Sequence, residues 1–370
     1  MKKRNIFFWI GTEAELIKVF PVIIECQKKN AICHIIATGQ NDLTKSRILQ
    51  LIQLNGKMVT LSNESEIKKN AIGLLRWFMK VLHNSGKLIL KYFNESELKN
   101  QCMVVHGDTV STFMGALVGR KMHMTVCHVE AGLRSHNLLN PFPEEIDRLL
   151  TSRIARIHFA PGQDPAKNLK HAKGKIIDTK YNTILDSLAE SKKLVVQTQA
   201  VNDLLNDQYF VFVMHRQENL MNKNFFSDVL KQIRVISKQK KCVLILHKIT
   251  EKKLIEMNEM KSLENDSNFV LLPRVDYFDF MKLLDYSQFV ITDGGSNQEE
   301  LHYMGKPCMI MRKTTERNEG IGYNAILYNG KVSSINQFAD NYLKYRIDSL
   351  TNREHPSELI ACTLCENQSI

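Results

Sequence analysis

A chain of 370 residues, 44% apolar and 24% charged, is too long for one ordinary core and suits a soluble protein of two domains. None of its apolar runs approaches the roughly 20 residues that a membrane-spanning helix needs, so no transmembrane segment is expected. The formal charge of +11 comes from scattered Lys and Arg, with no basic tail and no aromatic-interleaved patch. That pattern excludes nucleic acid as a partner and leaves an anionic small substrate or a peripheral contact with membrane.

Met1, Lys2, Lys3 and Arg4 precede an apolar run at 6–10, in the manner of a signal peptide, but the run stops at Gly11 and no small-residue cleavage site follows. A first buried strand and a cytoplasmic location are therefore expected. Residues 14–28 read as a helix and 33–38 as a second strand. Helical spacing runs through 74–93, followed by a strand at 103–106, a helix at 112–121 and a strand at 125–129. A helix at 144–154 and strands at 157–160 and 176–178 complete the first half. The pattern restarts with a strand at 209–214. Further strands fall at 242–246, 269–272, 289–292 and 308–311, with helices at 225–238, 251–263, 277–284 and 298–304 between them.

Continuous apolar strands with helical crossovers mean parallel sheets covered on both faces. The expectation is α/β: two Rossmann-like, doubly wound domains, 1–195 and 205–345, facing a central cleft. The polar stretch 197–207 is the joint. Residues 346–370 form a C-terminal tail, loosely held from 352 onward. Most of the eight cysteines sit in apolar runs, as reduced core thiols do. Cys362 and Cys365 form a lone CxxC without a second pair or a nearby His, so no metal site is expected.

Polar clusters fall at the strand ends, where such a sheet holds its ligand. The strand at 103–106 runs into Gly107-Asp108-Thr109, where Asp108 could simply cap a helix. The next strand ends in His128-Val129-Glu130-Ala131-Gly132-Leu133-Arg134. A third cluster is Pro141-Phe142-Pro143-Glu144-Glu145-Ile146-Asp147-Arg148, in which Glu144 and Arg148 share a helix face as an ordinary ion pair would. Three carboxylates in consecutive βα units on one sheet edge point to proton-transfer chemistry. Their mutual repulsion should raise at least one pKa toward the range of a general acid.

The second half offers cationic and N–H groups instead. Asp293-Gly294-Gly295-Ser296-Asn297-Gln298-Glu299-Glu300 places glycines before a helix start, where backbone N–H groups can approach a phosphate. Glu300, one turn in, could accept from vicinal ribose hydroxyls. His215-Arg216-Gln217-Glu218-Asn219 and His247 end two strands of the same half. No GxSxG elbow, GxGxxG loop or metal-ligand spacing is present.

Taken in order, these motifs resemble the non-hydrolysing UDP-N-acetylglucosamine 2-epimerases over residues 11–326. Asn182-Thr183-Ile184-Leu185-Asp186, His158-Phe159-Ala160-Pro161, Gly305-Lys306-Pro307 and Arg312-Lys313-Thr314-Thr315-Glu316-Arg317 carry the resemblance further. It implies the two-domain arrangement of GT-B glycosyltransferases, a bacterial homodimer, a UDP-sugar substrate and a reaction without cofactor. UDP is eliminated from C1 as the C2 proton leaves, and adds back after C2 is reprotonated on its other face. Asp108, Glu130 and Glu144 would carry acid, base or sugar-contacting roles, with Arg148 beside them. His215 would steady the diphosphate. Gly294, Gly295, Ser296, Lys18 and Arg312 would serve the nucleotide, Glu300 the ribose and Phe280 the uracil. The product would feed surface polysaccharide synthesis.

The sequence departs from that family at defined places. Gly-Thr-Arg-Pro-Glu is here Gly11-Thr12-Glu13-Ala14-Glu15, Gly-Gln-His-Arg is Gly39-Gln40-Asn41-Asp42, the Ser-Gly-Gly turn is Gly294-Gly295-Ser296, and Lys313 replaces an Asp. Bacterial members bind a second UDP-N-acetylglucosamine as activator with help from the Gly-Gln-His-Arg loop, and loss of that site is expected here. The same residues also fit a GT-B glycosyltransferase using a UDP- or other nucleotide-activated sugar. A catalytically inert binding protein is disfavoured by the presence of Asp108, Glu130, Glu144 and His215.

Overall fold

A computed structural model describes residues 4–63, 71–137, 142–315, 317–351 and 354–366. Glu316 and the ends of the tail thus lie outside the described residues. The chain divides into two compact units, one running to Ser187 and resuming at Glu354, the other Leu188–Arg353.

The first unit is built on seven parallel strands: β1 (Asn5–Ile10), β2 (Ile32–Ala37), β3 (Met58–Thr60), β4 (Cys102–His106), β5 (Thr125–Val129), β6 (Ile157–Ala160) and β7 (Lys175–Asp178). Their order is β3-β2-β1-β4-β5-β6-β7, so the direction of winding reverses between β1 and β4. The crossovers include α1 (Glu13–Lys28), α2 (Ala71–Leu90), α3 (Val110–Lys121) and α4 (Glu144–Ile154), and α5 (Ile184–Lys193) follows β7. Thr12 caps α1 by accepting from the Glu15 N–H. Gly115 lets α3 lie close against the sheet, since a Cβ there would come within 2.5 Å of the Trp9 ring.

The second unit repeats the plan with β8 (Tyr209–Val213), β9 (Lys241–Leu246), β10 (Phe269–Pro273), β11 (Val290–Thr292), β12 (Cys308–Ile310) and β13 (Ala325–Leu327), in the order β10-β9-β8-β11-β12-β13. Its longer helices are α6 (Lys223–Ser237), α7 (Lys248–Glu256), α8 (Tyr277–Tyr286), α9 (Gly295–Met304) and α10 (Ser334–Asn341). All five residues of β8 are buried, and the Phe210 and Phe289 rings stack at 5.0 Å in its core. Full burial of each such ring stabilises the fold by roughly 1.5–3 kcal/mol.

Three expectations need correction in detail. The helix anticipated at 251–263 is two helices, Lys248–Glu256 and Met260–Glu264, separated by Asn258 at φ 58°. Asn tolerates that left-handed conformation and ends helices there. The short strands β3 and β13 offer too few residues to show a period. The described part of the tail is not loosely held: Pro356–Glu366 is a helix, α11, that packs on α1 and buries Ile360, Ala361 and Leu364. Asp186 fixes its start by accepting from the Ser357 N–H at 2.7 Å. Among the described residues no helix is long and apolar enough to cross a membrane.

Candidate active site

In the first unit the carboxylates gather around the β1/β4 reversal. Glu15 is buried there and ties the two strand ends together, accepting from the Gly11 N–H at 2.7 Å and the Thr109 hydroxyl at 2.6 Å. Burial raises its pKa, opposed by those two hydrogen bonds. Asp108 follows β4 directly. The neutral His128 ring, held down to about 3 mainly by burial, braces the preceding turn through Gly107 O at 2.7 Å.

Glu130 follows β5 with φ 62°, a strained conformation for a residue with a side chain. Its Oε2 accepts from Lys18 Nζ at 2.6 Å and Asn182 Nδ2 at 2.6 Å, and the His106 ring nitrogen lies 3.1 Å away. Lys18 thus stands among the carboxylates. Its position on α1, one turn after Glu15, brings it over the end of β5.

Helix α4 supplies the rest. Arg148 bonds Asp108 and, at 3.3 Å, Glu145 Oε2. Glu145 is fully buried and also accepts from the Ser135 N–H at 3.0 Å and from Arg134. Burial alone would raise its pKa, but these donors together hold it below the usual range. Glu144 and Asp147 each keep one buried carboxyl oxygen with no hydrogen-bond partner among the described residues. Burial, followed by the charges of Glu144 and Asp108, pushes Asp147 up to about 7. The raised acid beside the grouped carboxylates is thus Asp147, one turn along the helix from Glu144.

In the second unit the corresponding reversal lies between β8 and β11. Asp293, fully buried, receives the N–H groups of His215 at 3.0 Å and Arg216 at 2.9 Å and the Asn219 amide at 3.0 Å. Burial raises its pKa, yet His215, Arg216 and Asn219 outweigh it and hold the carboxyl below its usual value. The His215 ring stacks on His247 with centroids 4.6 Å apart. His247 is lowered to about 4 by burial, then by His215 and Arg274.

Gly294 caps α9, so Gly295 and Ser296 occupy its first turn, where helical N–H groups lack intrahelical partners. Asn297 bridges Thr292 Oγ1 at 3.2 Å and Glu300 Oε2 at 3.0 Å, which orients the Glu300 carboxylate. Phe280 is half-buried on α8, and Arg312 is half-buried just after β12. The unit therefore groups His215 with the glycine turn at one strand edge.

Glu15, Glu145, Asp147, Asn182 and Asp293 were not singled out from the sequence. Glu145, Asp147, Asn182 and Asp293 lie inside the motifs themselves. The signal that could have found them is their place beside a functional residue on a strand end or helix face.

Two doubly wound units, each with a buried carboxylate at its winding reversal, one rich in acids and one in N–H donors, define a nucleotide-dependent α/β enzyme. A family model described as UDP-N-acetylglucosamine 2-epimerase matches residues 24–356. The UDP-N-acetylglucosamine 2-epimerase of Methanocaldococcus jannaschii is 31% identical over 85% of this chain and 86% of its own. That of Bacillus subtilis is 29% identical over 87% and 82%. The crystal structure of UDP-GlcNAc 2-epimerase from Neisseria meningitidis bound to UDP-GlcNAc aligns with a TM-score of 0.77 and 27% identity, covering 99% of this chain and 100% of that one. The chain belongs to the UDP-N-acetylglucosamine 2-epimerase family.

Proposed function

We propose that this protein interconverts UDP-N-acetylglucosamine and UDP-N-acetylmannosamine by eliminating and re-adding UDP. The observation that carries this reading is the carboxylate cluster of Asp108, Glu130 and Glu144, joined by Lys18 and Arg148. One carboxylate takes the C2 proton while the C1–O bond breaks and UDP departs with the bonding pair. The 2-acetamidoglucal then receives a proton at C2 on its opposite face, and the UDP oxygen attacks C1. A buried acid that keeps its proton near neutrality, as Asp147 does, can return protons to this cluster.

Lys18 and Asn182 stabilise the charge of Glu130, and Arg148 that of Asp108. His215, with Gly294, Gly295, Ser296 and Arg312, would hold the diphosphate as negative charge develops on it. Glu300 would bind ribose and Phe280 would lie at the uracil. The family resemblance supports a cytoplasmic homodimer, and the charge of +11 supports peripheral contact with anionic membrane.

The test is incubation with UDP-N-acetylglucosamine in deuterated water without added metal, followed by NMR. Deuterium at C2 together with UDP-N-acetylmannosamine is the expected result. Turnover of other nucleotide sugars with no C2 exchange would overturn it in favour of glycosyl transfer.

A further inference from the structure

We propose that the first unit carries a second anion site, beside the carboxylate cluster and sharing Arg148 with it, that takes a diphosphate-bearing small molecule. A groove of about 630 Å³ lies among the end of α3, helix α4 and the segment 168–173. That volume is within the roughly 300–1,000 Å³ of small-molecule sites. Arg120, Arg153, Arg156 and Lys173 line it, and His171 adds a further donor. Among the described residues, none of these five side chains forms an ion pair or a side-chain hydrogen bond. Arg134 and Arg148 on the same wall differ, since Glu145 and Asp108 neutralise them.

The local backbone holds these charges together. Arg156 N–H donates to Val126 O at 2.8 Å, and Arg156 O accepts from Lys175 N–H at 2.8 Å. Gly174, at φ 107°, lies so close that a Cβ would sit 2.1 Å from Arg156 O. The buried His158 ring meets Lys173 O at 3.1 Å. Lys173 is thereby kept beside Arg156 despite their mutual repulsion. Arg153 alone would be explained by its place in the last turn of α4, where a cation is favourable. Its convergence with three other uncompensated cations is not.

Two or three charge-assisted donors satisfy one phosphate, and this groove offers more, which selects a diphosphate. Val126, Leu149 and Leu169 make an apolar floor for an organic moiety. Among the described residues the lining has no Phe, Tyr or Trp on which successive bases could stack, which argues against a nucleic-acid strand.

The experiment is hydrogen exchange on the full chain titrated with inorganic pyrophosphate, read on peptides spanning 149–156 and 168–174. Exchange should slow in both, at concentrations about tenfold below those needed with inorganic phosphate. The Arg153→Ala/Arg156→Ala variant should raise the midpoint about tenfold or more. The Arg120→Ala/Lys173→Ala variant is the second arm if the first fails to fold. Absence of protection at these peptides, or protection unchanged in a folded variant, overturns the proposal. So does protection by phosphatidylglycerol vesicles without protection by pyrophosphate, which would make the groove a membrane contact. The readout is local binding, so its failure leaves the epimerase reading untouched.

Discussion

The backbone N–H of His215 donates to Asp293 Oδ1 at 3.0 Å, and the ring Nδ1 of the same histidine lies 3.1 Å from that oxygen. One buried carboxylate thus sets both the main chain and the ring of the residue proposed to hold the diphosphate. Asp293→Ala should leave several buried donors unpaired and cost about 2–4 kcal/mol in denaturant unfolding. UDP affinity by calorimetry should fall with it, and unchanged affinity would show that Asp293 does not position His215. Because the folded carboxyl is held below its ordinary value, its contribution is present above the unfolded pKa and lost as pH falls through the folded one. Asp293→Asn should therefore flatten the acid limb of the stability profile.

Asp147 has the opposite sign. Its pKa is raised to about 7, so the folded state binds a proton that the unfolded chain has already lost near pH 4. Stability should fall as pH rises between roughly 4 and 7 and level off above that. Asp147→Asn should remove this slope and stabilise the protein by about 1–3 kcal/mol at pH 8, measured by urea unfolding. In the rate profile, the same variant should lose an ionisation near pH 7. A wild-type profile with unchanged ionisations would leave Asp147 without a part in proton transfer.

Asp108→Asn, Glu130→Gln and Glu144→Gln should each lower turnover by about 100-fold or more, as loss of a general acid or base does. UDP binding should change far less in each. Equal losses in both would mark these side chains as scaffold. Lys18→Met should resemble Glu130→Gln, because it removes the ammonium 2.6 Å from Glu130 Oε2.

The departures near the first loops have a structural counterpart. Asn41 Oδ1 accepts from the Glu13 N–H at 3.1 Å, Glu13 accepts from the Ser46 hydroxyl at 3.3 Å, and Asp42 binds the Thr44 hydroxyl at 2.5 Å. Two carboxylates engaged within this loop disfavour a second diphosphate there. The rate should rise hyperbolically with UDP-N-acetylglucosamine, and UDP-N-acetylmannosamine should react alone. A sigmoidal curve, or a reverse reaction silent until UDP-N-acetylglucosamine is supplied, would show an activator site.

The alternation of buried strands and amphipathic helices made both sheets legible, because strands covered on both faces leave unbroken apolar runs such as β8. Residues at strand ends were legible for the same reason, since the ends of those runs fix where chemistry can stand. Asp293 was harder to read. Its neighbours in space, His215 and Arg216, are far away in sequence and meet it only because β11 pairs with β8. Asp147 was hidden differently, since only burial beside Glu144 and Asp108 distinguishes it from an ordinary acid in a helix's first turn. The Gly305-Lys306-Pro307 motif proved structural: Gly305 takes φ 72° after α9, and buried Lys306 donates to Ser287 O at 2.9 Å.

Helix α11 also has a consequence for biosynthesis. The ribosome delivers β1 through β7 first, but the helix that covers α1 is made only after the whole second unit. Leu188–Arg353 must be translated in between. At roughly 5–20 residues per second this leaves the apolar face of α1 uncovered for on the order of 10–30 s. The nascent first unit is then a target for chaperones that recognise exposed apolar helices. A chain truncated before Pro356 would never leave that condition.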